Sequence, residues 1–375
     1  MRALLILAAA LVCAGCAAKA EAPDAVQAWQ PVPLDTDAAF SSVCFVDSLN
    51  GWMVGGHYDI DGGLAARTRD GGRTWTYTSS IVPKGWGESR MSLNAVVFLT
   101  PLRGLVATHG GLILATDDGG DNWHVVRHGR SPADHLSDFS FIDEWNGWCV
   151  GGGGVLYTTD GGEHWFTKLR SESENGYLGG NAIHFHDAGR GVMVGQGGGV
   201  WLTLDGGERW QEAVTPFKKD EHPNLYDLFF VNRDYGWAVG EEGTLIATTD
   251  GGLSWFRQDV GIADAKSQPR LERIRTAKGY LELDAGDRTP SLMLSSVFFT
   301  DGHHGWITAF YTNMGRSLLL KTADGGATWA VDAEVKGEEL ASVFMLSQDR
   351  GWAVGDRVRE GQQVMLRRVP KPASS

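Results

Sequence analysis

The sequence predicts an all-β chain folded as a seven-bladed β-propeller of four-stranded blades. Three observations lead there. The composition is rich in glycine and tryptophan, 51 and 15 of 375 residues, which supplies tight turns and aromatic bulk. A phrase containing Gly-Trp-x-Val-Gly, then Thr-x-Asp-Gly-Gly, then a Trp five residues after the Asp recurs at blade-sized intervals. The two chain ends hold complementary fragments of one repeat, so the ring can close without exposed sheet edges.

The first element is a leader. Arg2, an apolar run from Ala3 to Val12 and Cys13-Ala14-Gly15-Cys16 read as a processing signal, because so short a run cannot cross a bilayer. The small pair before Cys16 resembles the lipobox of bacterial lipoproteins, which implies acylation of the Cys16 thiol. Residues 1–15 are then a signal peptide, 16–27 a tether, 28–369 one propeller domain and 370–375 a tail. An ordinary cleaved leader with an incidental cysteine is the alternative. The expected location is the cell envelope, lipid-anchored and facing the periplasm. Ala17 after the cysteine favours the outer membrane in a Gram-negative host.

The repeats follow. The clearest copies are Gly147-Trp148-Cys149-Val150-Gly151 with Thr158-Thr159-Asp160-Gly161-Gly162 to Trp165, and Gly236 to Gly240 with Asp250 to Trp255. The turn aspartates are Asp70, Asp118, Asp160, Asp205, Asp250 and Asp324, and the paired tryptophans are Trp75, Trp123, Trp165, Trp210, Trp255 and Trp329. Glycine accepts the positive φ of a tight hairpin, and the Asp carboxylate can accept N–H groups across it. Each tryptophan is expected to fill the gap to the next blade. Second strands open at Gly51, Gly104, Gly147, Gly191, Gly236, Gly305 and Gly351, and the second and fourth copies lack the Trp. The last copy has no aspartate turn, and Ala28 to Val32 can supply its outer strand. Six blades with a frayed C-terminus is the competing count. Between the fifth and sixth units lies the charged insertion Gly261 to Pro290, in which Pro269 to Gly279 reads as a short helix.

The Thr-x-Asp-Gly-Gly-x-x-Trp turn resembles the Asp box, or bacterial neuraminidase repeat. Joined to Gly-Trp-x-Val-Gly at this spacing, the phrase resembles the photosystem II stability/assembly factor family from about Ala28 to Val369. That resemblance implies a seven-bladed propeller in a thylakoid lumen or bacterial envelope that helps assemble membrane complexes and is not an enzyme.

Catalytic patterns offer little against this. A net charge of -13 argues against nucleic-acid binding. The sialidase set of three arginines, a Tyr–Glu pair and an acid has no matching phrase, Arg273-Ile274-Arg275 being the nearest. An Asp-box glycosidase or glycan-binding propeller remains the alternative function. His184 and His186 alternate toward one face but have no third ligand by spacing, so no metal is expected. Asp59-Ile60-Asp61-Gly62 lacks the later ligands of a calcium loop. Gly151 to Gly154 and Gly195 to Gly199 fall where hairpin turns are due, and no cofactor is expected. Cys44 and Cys149 lie in different repeats and read as buried thiols.

Binding is expected on the rim opposite the aspartate turns. The candidates there are Trp86, Arg90, Arg127, Arg130, Tyr177, Lys218, Arg273, Arg275, Tyr311 and Arg316, residue types that often carry interface energy. The expected partner is a protein, a membrane-protein complex or its assembly intermediate, met by a monomer.

Overall fold

The computed structural model describes residues 29–56, 62–83, 92–129, 134–170, 179–261, 274–276, 279–281, 291–312, 315–336, 338–357 and 365–369. Seven four-stranded antiparallel sheets account for all of it except one short hairpin. In the third blade the strands are Leu136–Phe141, Gly147–Gly151, Gly154–Thr158 and Phe166–Arg170, and the other blades repeat this order. The second strands are buried along nearly their whole length, as sheets covered on both faces by neighbouring sheets must be. The seventh sheet is assembled from both chain ends. Its strands Glu338–Ser347, Arg350–Arg357 and Met365–Arg368 are completed by Trp29–Pro31, with Trp29 opposite Arg368.

The repeated phrase has a steric basis that blade 3 illustrates. A Cβ on Gly147 would stand 2.4 Å from the Phe141 ring, and one on Gly151 would stand 1.8 Å from the His135 carbonyl oxygen. The first glycine therefore makes room for an aromatic ring. The last faces the bulge of the first strand between Leu136 and Asp138, an irregularity found in the first strand of every blade, including blades 2 and 6, where Thr108 and Ala309 hold that position.

In the aspartate turn of blade 1 the Thr68 hydroxyl donates to Asp70 Oδ1 at 2.8 Å and accepts from the Gly72 N–H at 2.9 Å. Asp70 Oδ1 also accepts from the Thr74 N–H at 3.0 Å, and Gly71 and Gly72 take φ of 72° and 79°. The tryptophan that follows folds over its own turn and packs into the core shared with the preceding blade rather than the next one. In five copies its indole N–H folds back onto the carbonyl of the turn's second glycine, as Trp123 does to Gly120 at 3.1 Å. Its ring edge meets the phenylalanine that ends the blade's first strand, as in Phe98 and Trp123. The contact to the next blade is made by a different residue.

That residue is the second-strand tryptophan. Trp52, Trp148, Trp237 and Trp352 each lie flat on a phenylalanine of the next blade, with ring centroids 3.4 to 3.7 Å apart. Each also donates to the carbonyl of the first glycine in that blade's aspartate turn. Blades 2 and 4 have Leu105 and Val192 instead, and there an arginine makes the link. Arg103 donates to Gly161 O, and Arg190 donates to Asp250 O and Gly251 O. The seam from blade 6 to blade 7 meets no aspartate turn. Trp306 and Trp29 both donate to Asp332 Oδ2, at 3.2 and 2.7 Å, and the buried Arg368 pairs with the same oxygen.

The insertion differs from the expected helix. Ile274–Thr276 and Gly279–Leu281 form a β-hairpin, with Thr276 opposite Gly279. Branched and aromatic side chains favour extended backbone, and a glycine at the turn ends a helix before it can gain length.

Candidate protein-binding rim

Because each blade runs up and down four times, its first-to-second and third-to-fourth turns share one rim. The second-to-third turns and the links between blades share the other. The aspartate turns therefore mark one face, and the connection rim is its opposite.

On the connection rim, Trp86, Arg90, Arg130, Tyr177 and Arg273 lie outside the described residues, as does the Arg275 side chain. Cys16, the tether, the tail and Asp59 are outside them too. The other candidates are placed as follows. Arg127 ends the outer strand of blade 2 and donates to the Gly111 carbonyl. Lys218 is exposed and lies 3.4 Å from Glu221, which also pairs with Arg257. Arg257 stacks over Phe217, centroid distance 5.2 Å. Arg316 pairs with Glu334 at 3.0 Å. Tyr311 is a correction: only 2 % exposed, it ends the second strand of blade 6 opposite Leu292 and packs into the seam with blade 5. Strand alternation carries its ring inward, and Arg316 covers it, 5.9 Å from the ring centre.

Between blades 4 and 5 the sequence reading missed a polar network. Glu241 accepts from the Tyr226 hydroxyl at 2.7 Å and from the Asn224 N–H and side-chain amide at 3.0 Å. Beside it, Phe217, Lys218, Glu221 and Arg257 make an amphipathic patch. Its aromatic, cationic and anionic groups suit an extended peptide with apolar and charged side chains.

The inner strands hold a second missed feature. Asp138 Oδ2 accepts the Ile183 N–H of the next blade at 2.9 Å, and Asp227 Oδ2 accepts the Val297 N–H at 2.8 Å. Ser42 and Ser296 bridge their neighbours in the same way. Burial, with a smaller contribution from the charge of Asp227, pushes Asp138 up to about 7. The signal was a polar residue just after the bulge, where blades 2 and 4 have Ala95 and Ala182.

The turn aspartates shift the other way. The Asn122 N–H and side-chain amide hold Asp118 down at about 2, and the Thr328 hydroxyl and N–H do the same for Asp324. They are ionised hydrogen-bond acceptors within their turns, which leaves them unsuited to act as proton donors near neutrality.

These shifts set two pH windows. The lowered turn aspartates contribute stability above about pH 4 that is lost as pH falls toward 2. The raised Asp138 contributes stability below about pH 4 that is lost as pH climbs through 7. Unfolding free energies from urea titrations should therefore decline from pH 4 to 7 by about 3 kcal/mol on account of Asp138, and Asp138→Asn should reduce that decline, leaving the share of Asp227, which burial also raises. An unchanged slope in the variant would remove Asp138 as its cause.

His184 and His186 do share a face, as expected, and both rings pack on Phe230 of blade 5. Burial lowers them to about 3 and about 4, so they are neutral packing groups. Asp117, His124 and Glu163 bring ligand atoms within 4.8 Å of one another on the aspartate-turn rim. Arg103 already provides the cation there, 2.9 Å from Asp117 and 2.8 Å from Glu163. Cys44 and Cys149 are free thiols, and burial raises Cys44 to about 12.

Seven blades locked by indole and guanidinium donors, with aspartate turns on one rim and mixed aromatic and charged groups on the other, define the class as a ring-closed seven-bladed β-propeller. Comparison with known proteins is more specific. The family model described as photosynthesis system II assembly factor YCF48 matches residues 21–134 and 179–260, and the chain belongs to that family. The photosystem II assembly lipoprotein Ycf48 of a Synechocystis species is 34% identical over 97 residues, 25% of each chain. That of a Synechococcus species is 29% identical over 120 residues, 32% of this chain and 33% of the relative. The matched segments thus span a third or less of those relatives' length. A solved structure described as YCF48 bound to D1 peptide superposes with a TM-score of 0.64 at 19% identity, covering 92% of this chain and 97% of the other. YCF48 from Cyanidioschyzon merolae gives 0.62 at 19% identity, covering 91% and 98%. A Niastella koreensis GH74 enzyme gives 0.58 at 12% identity, covering 90% and 55%, a likeness of fold.

Proposed function

We propose that the chain is a non-catalytic, lipid-anchored assembly factor of the cell envelope, whose connection rim holds an extramembrane segment of a membrane protein while its complex is built. Membership in the assembly-factor family is the observation that carries this reading. The amphipathic patch of Phe217, Lys218 and Arg257 supports it, as does the relative described with a bound D1 peptide. Lipidation at Cys16 rests on the Ala14-Gly15-Cys16 sequence and agrees with the lipoprotein names of the matched relatives. The aspartates that a glycosidase reading would recruit are spent on backbone N–H groups in their own turns.

The test is crosslinked affinity capture from host membranes, repeated with Lys218→Glu, Arg257→Glu and the pair Arg273→Glu, Arg275→Glu. Charge reversal should weaken recovery of the captured membrane protein about tenfold, corresponding to roughly 1.4 kcal/mol. Undiminished capture by all these variants would overturn the rim assignment. Turnover of aryl glycosides that is abolished by a rim substitution would overturn the non-catalytic reading.

A further inference from the structure

The aspartate-turn rim has two properties that its structural role does not require. The first is where the chain enters. Trp29 pairs with Arg368, and Arg368 pairs with Gly351, beside the turn joining the first two strands of blade 7. Trp29 therefore joins the propeller at the aspartate-turn rim. Residues 16–27 extend at most about 40 Å, and as a relaxed coil about 20 Å, so an anchor at Cys16 holds this rim near the bilayer.

The second is where apolar side chains are exposed. Scattered exposed apolar residues are ordinary on soluble proteins. Here they are concentrated: among the described residues, seven of the eleven exposed large apolar side chains, Leu49, Leu102, Trp145, Leu204, Tyr235, Leu253 and Leu346, lie in or beside the turns of the aspartate-turn rim. Leu49, Leu102 and Trp145, 51%, 58% and 61% exposed, occupy the same turn position in three consecutive blades. Their carbonyls accept the N–H groups of Gly71, Gly119 and Gly161 at 2.8 to 2.9 Å. The backbone is thus tied down in a fixed turn that leaves these side chains exposed. Leu204, Leu253 and Tyr235 extend the exposure around the ring.

We propose that this rim lies on the membrane, its leucines and Trp145 entering the headgroup region while the connection rim faces away to receive the partner. Leucine and tryptophan are the residues that settle at such an interface. Asp47, Asp143, Asp187 and Asp301 accept N–H groups of the inner turns, which holds their carboxyls below the usual range and keeps them ionised. The same rim carries the exposed Arg69 and Arg233, so it is mixed in charge and fits zwitterionic headgroups. The orientation rests on the proposed lipidation at Cys16.

The test uses the full lipidated chain on phosphatidylcholine vesicles. An environment-sensitive fluorophore is placed on Leu102→Cys at the aspartate-turn rim, or on Lys219→Cys in the link between blades 4 and 5. The buried Cys44 and Cys149 thiols are held protonated and will label slowly. The label at 102 should gain at least about twofold in emission and be quenched by lipid-borne quenchers, and the label at 219 should be silent. In the Cys16→Ala background, Leu49→Ser, Leu102→Ser and Trp145→Ser together should weaken residual vesicle binding about tenfold, and phosphatidylglycerol should not strengthen it. A label at 102 that stays aqueous on anchored protein overturns the orientation. A response that requires added membrane protein overturns it as well and makes the rim a protein interface. Unchanged detergent partitioning of Cys16→Ala would instead overturn the lipid anchor, and the label would still report whether the rim meets lipid.

Discussion

Replacing Trp352 with alanine should destabilise the folded chain by about 3 to 5 kcal/mol, read as a lowered urea midpoint with unaltered slope. The residue is fully buried at the seam that joins the last blade to the first. Its ring lies 3.4 Å from that of Phe45 with planes 10° apart, and its N–H reaches the Gly71 carbonyl at 3.1 Å. Alanine leaves a cavity between two stiff sheets and an acceptor without its donor. Trp352→Phe keeps an aromatic ring against Phe45 and loses the donor, so it should cost less, about 1 to 2 kcal/mol. Equal losses in the two variants would mean that the stack contributes nothing.

Arg368→Ala should cost a comparable 3 to 5 kcal/mol, for an electrostatic reason. Arg368 is 6 % exposed, pairs with Asp332, and covers the Trp29 and Trp306 rings at 5.7 and 5.6 Å. Removing the guanidinium leaves a shielded carboxylate with only two indole donors. Replacing both charges, Arg368→Met with Asp332→Leu, should recover much of the loss, because ion-pair desolvation disappears together with the attraction. If the double variant is as unstable as Arg368→Ala, the seam depends on the hydrogen bonds that Asp332 accepts rather than on charge balance.

The ring was legible because its construction is periodic. The opening glycine of the phrase faces the bulky residue that ends the first strand in every blade, and the closing glycine faces the bulge in five of them, so the phrase recurs and can be counted. Blade seven was readable from both ends, since Trp29 and Arg368 lie in fragments that each lack what the other has. The joints between blades were less readable. The tryptophan after the aspartate turn is large and regularly placed, and it does pack in a seam, but the one shared with the preceding blade. Trp52 and its equivalents reach across, and where they are absent the substitute is the residue just before the opening glycine, Arg103 or Arg190. A surface-looking arginine carries no mark in the sequence that it will donate to a neighbouring carbonyl. Asp138 was hidden for a related reason: one acid in an apolar strand gives no periodic signal. Tyr311 was taken for a loop residue because the strand of blade 6 runs longer than those of its neighbours.

Trp29–Pro31 pairs residue by residue with the end of a strand more than 300 positions away, and the Val32 N–H adds one more bond to Met365. Tension arriving through the preceding segment is therefore borne first by this short ladder and by the indole clasped to Asp332. Were the chain anchored through that segment as proposed, a sustained tug would act on the closing strand of blade seven before reaching the six continuous blades.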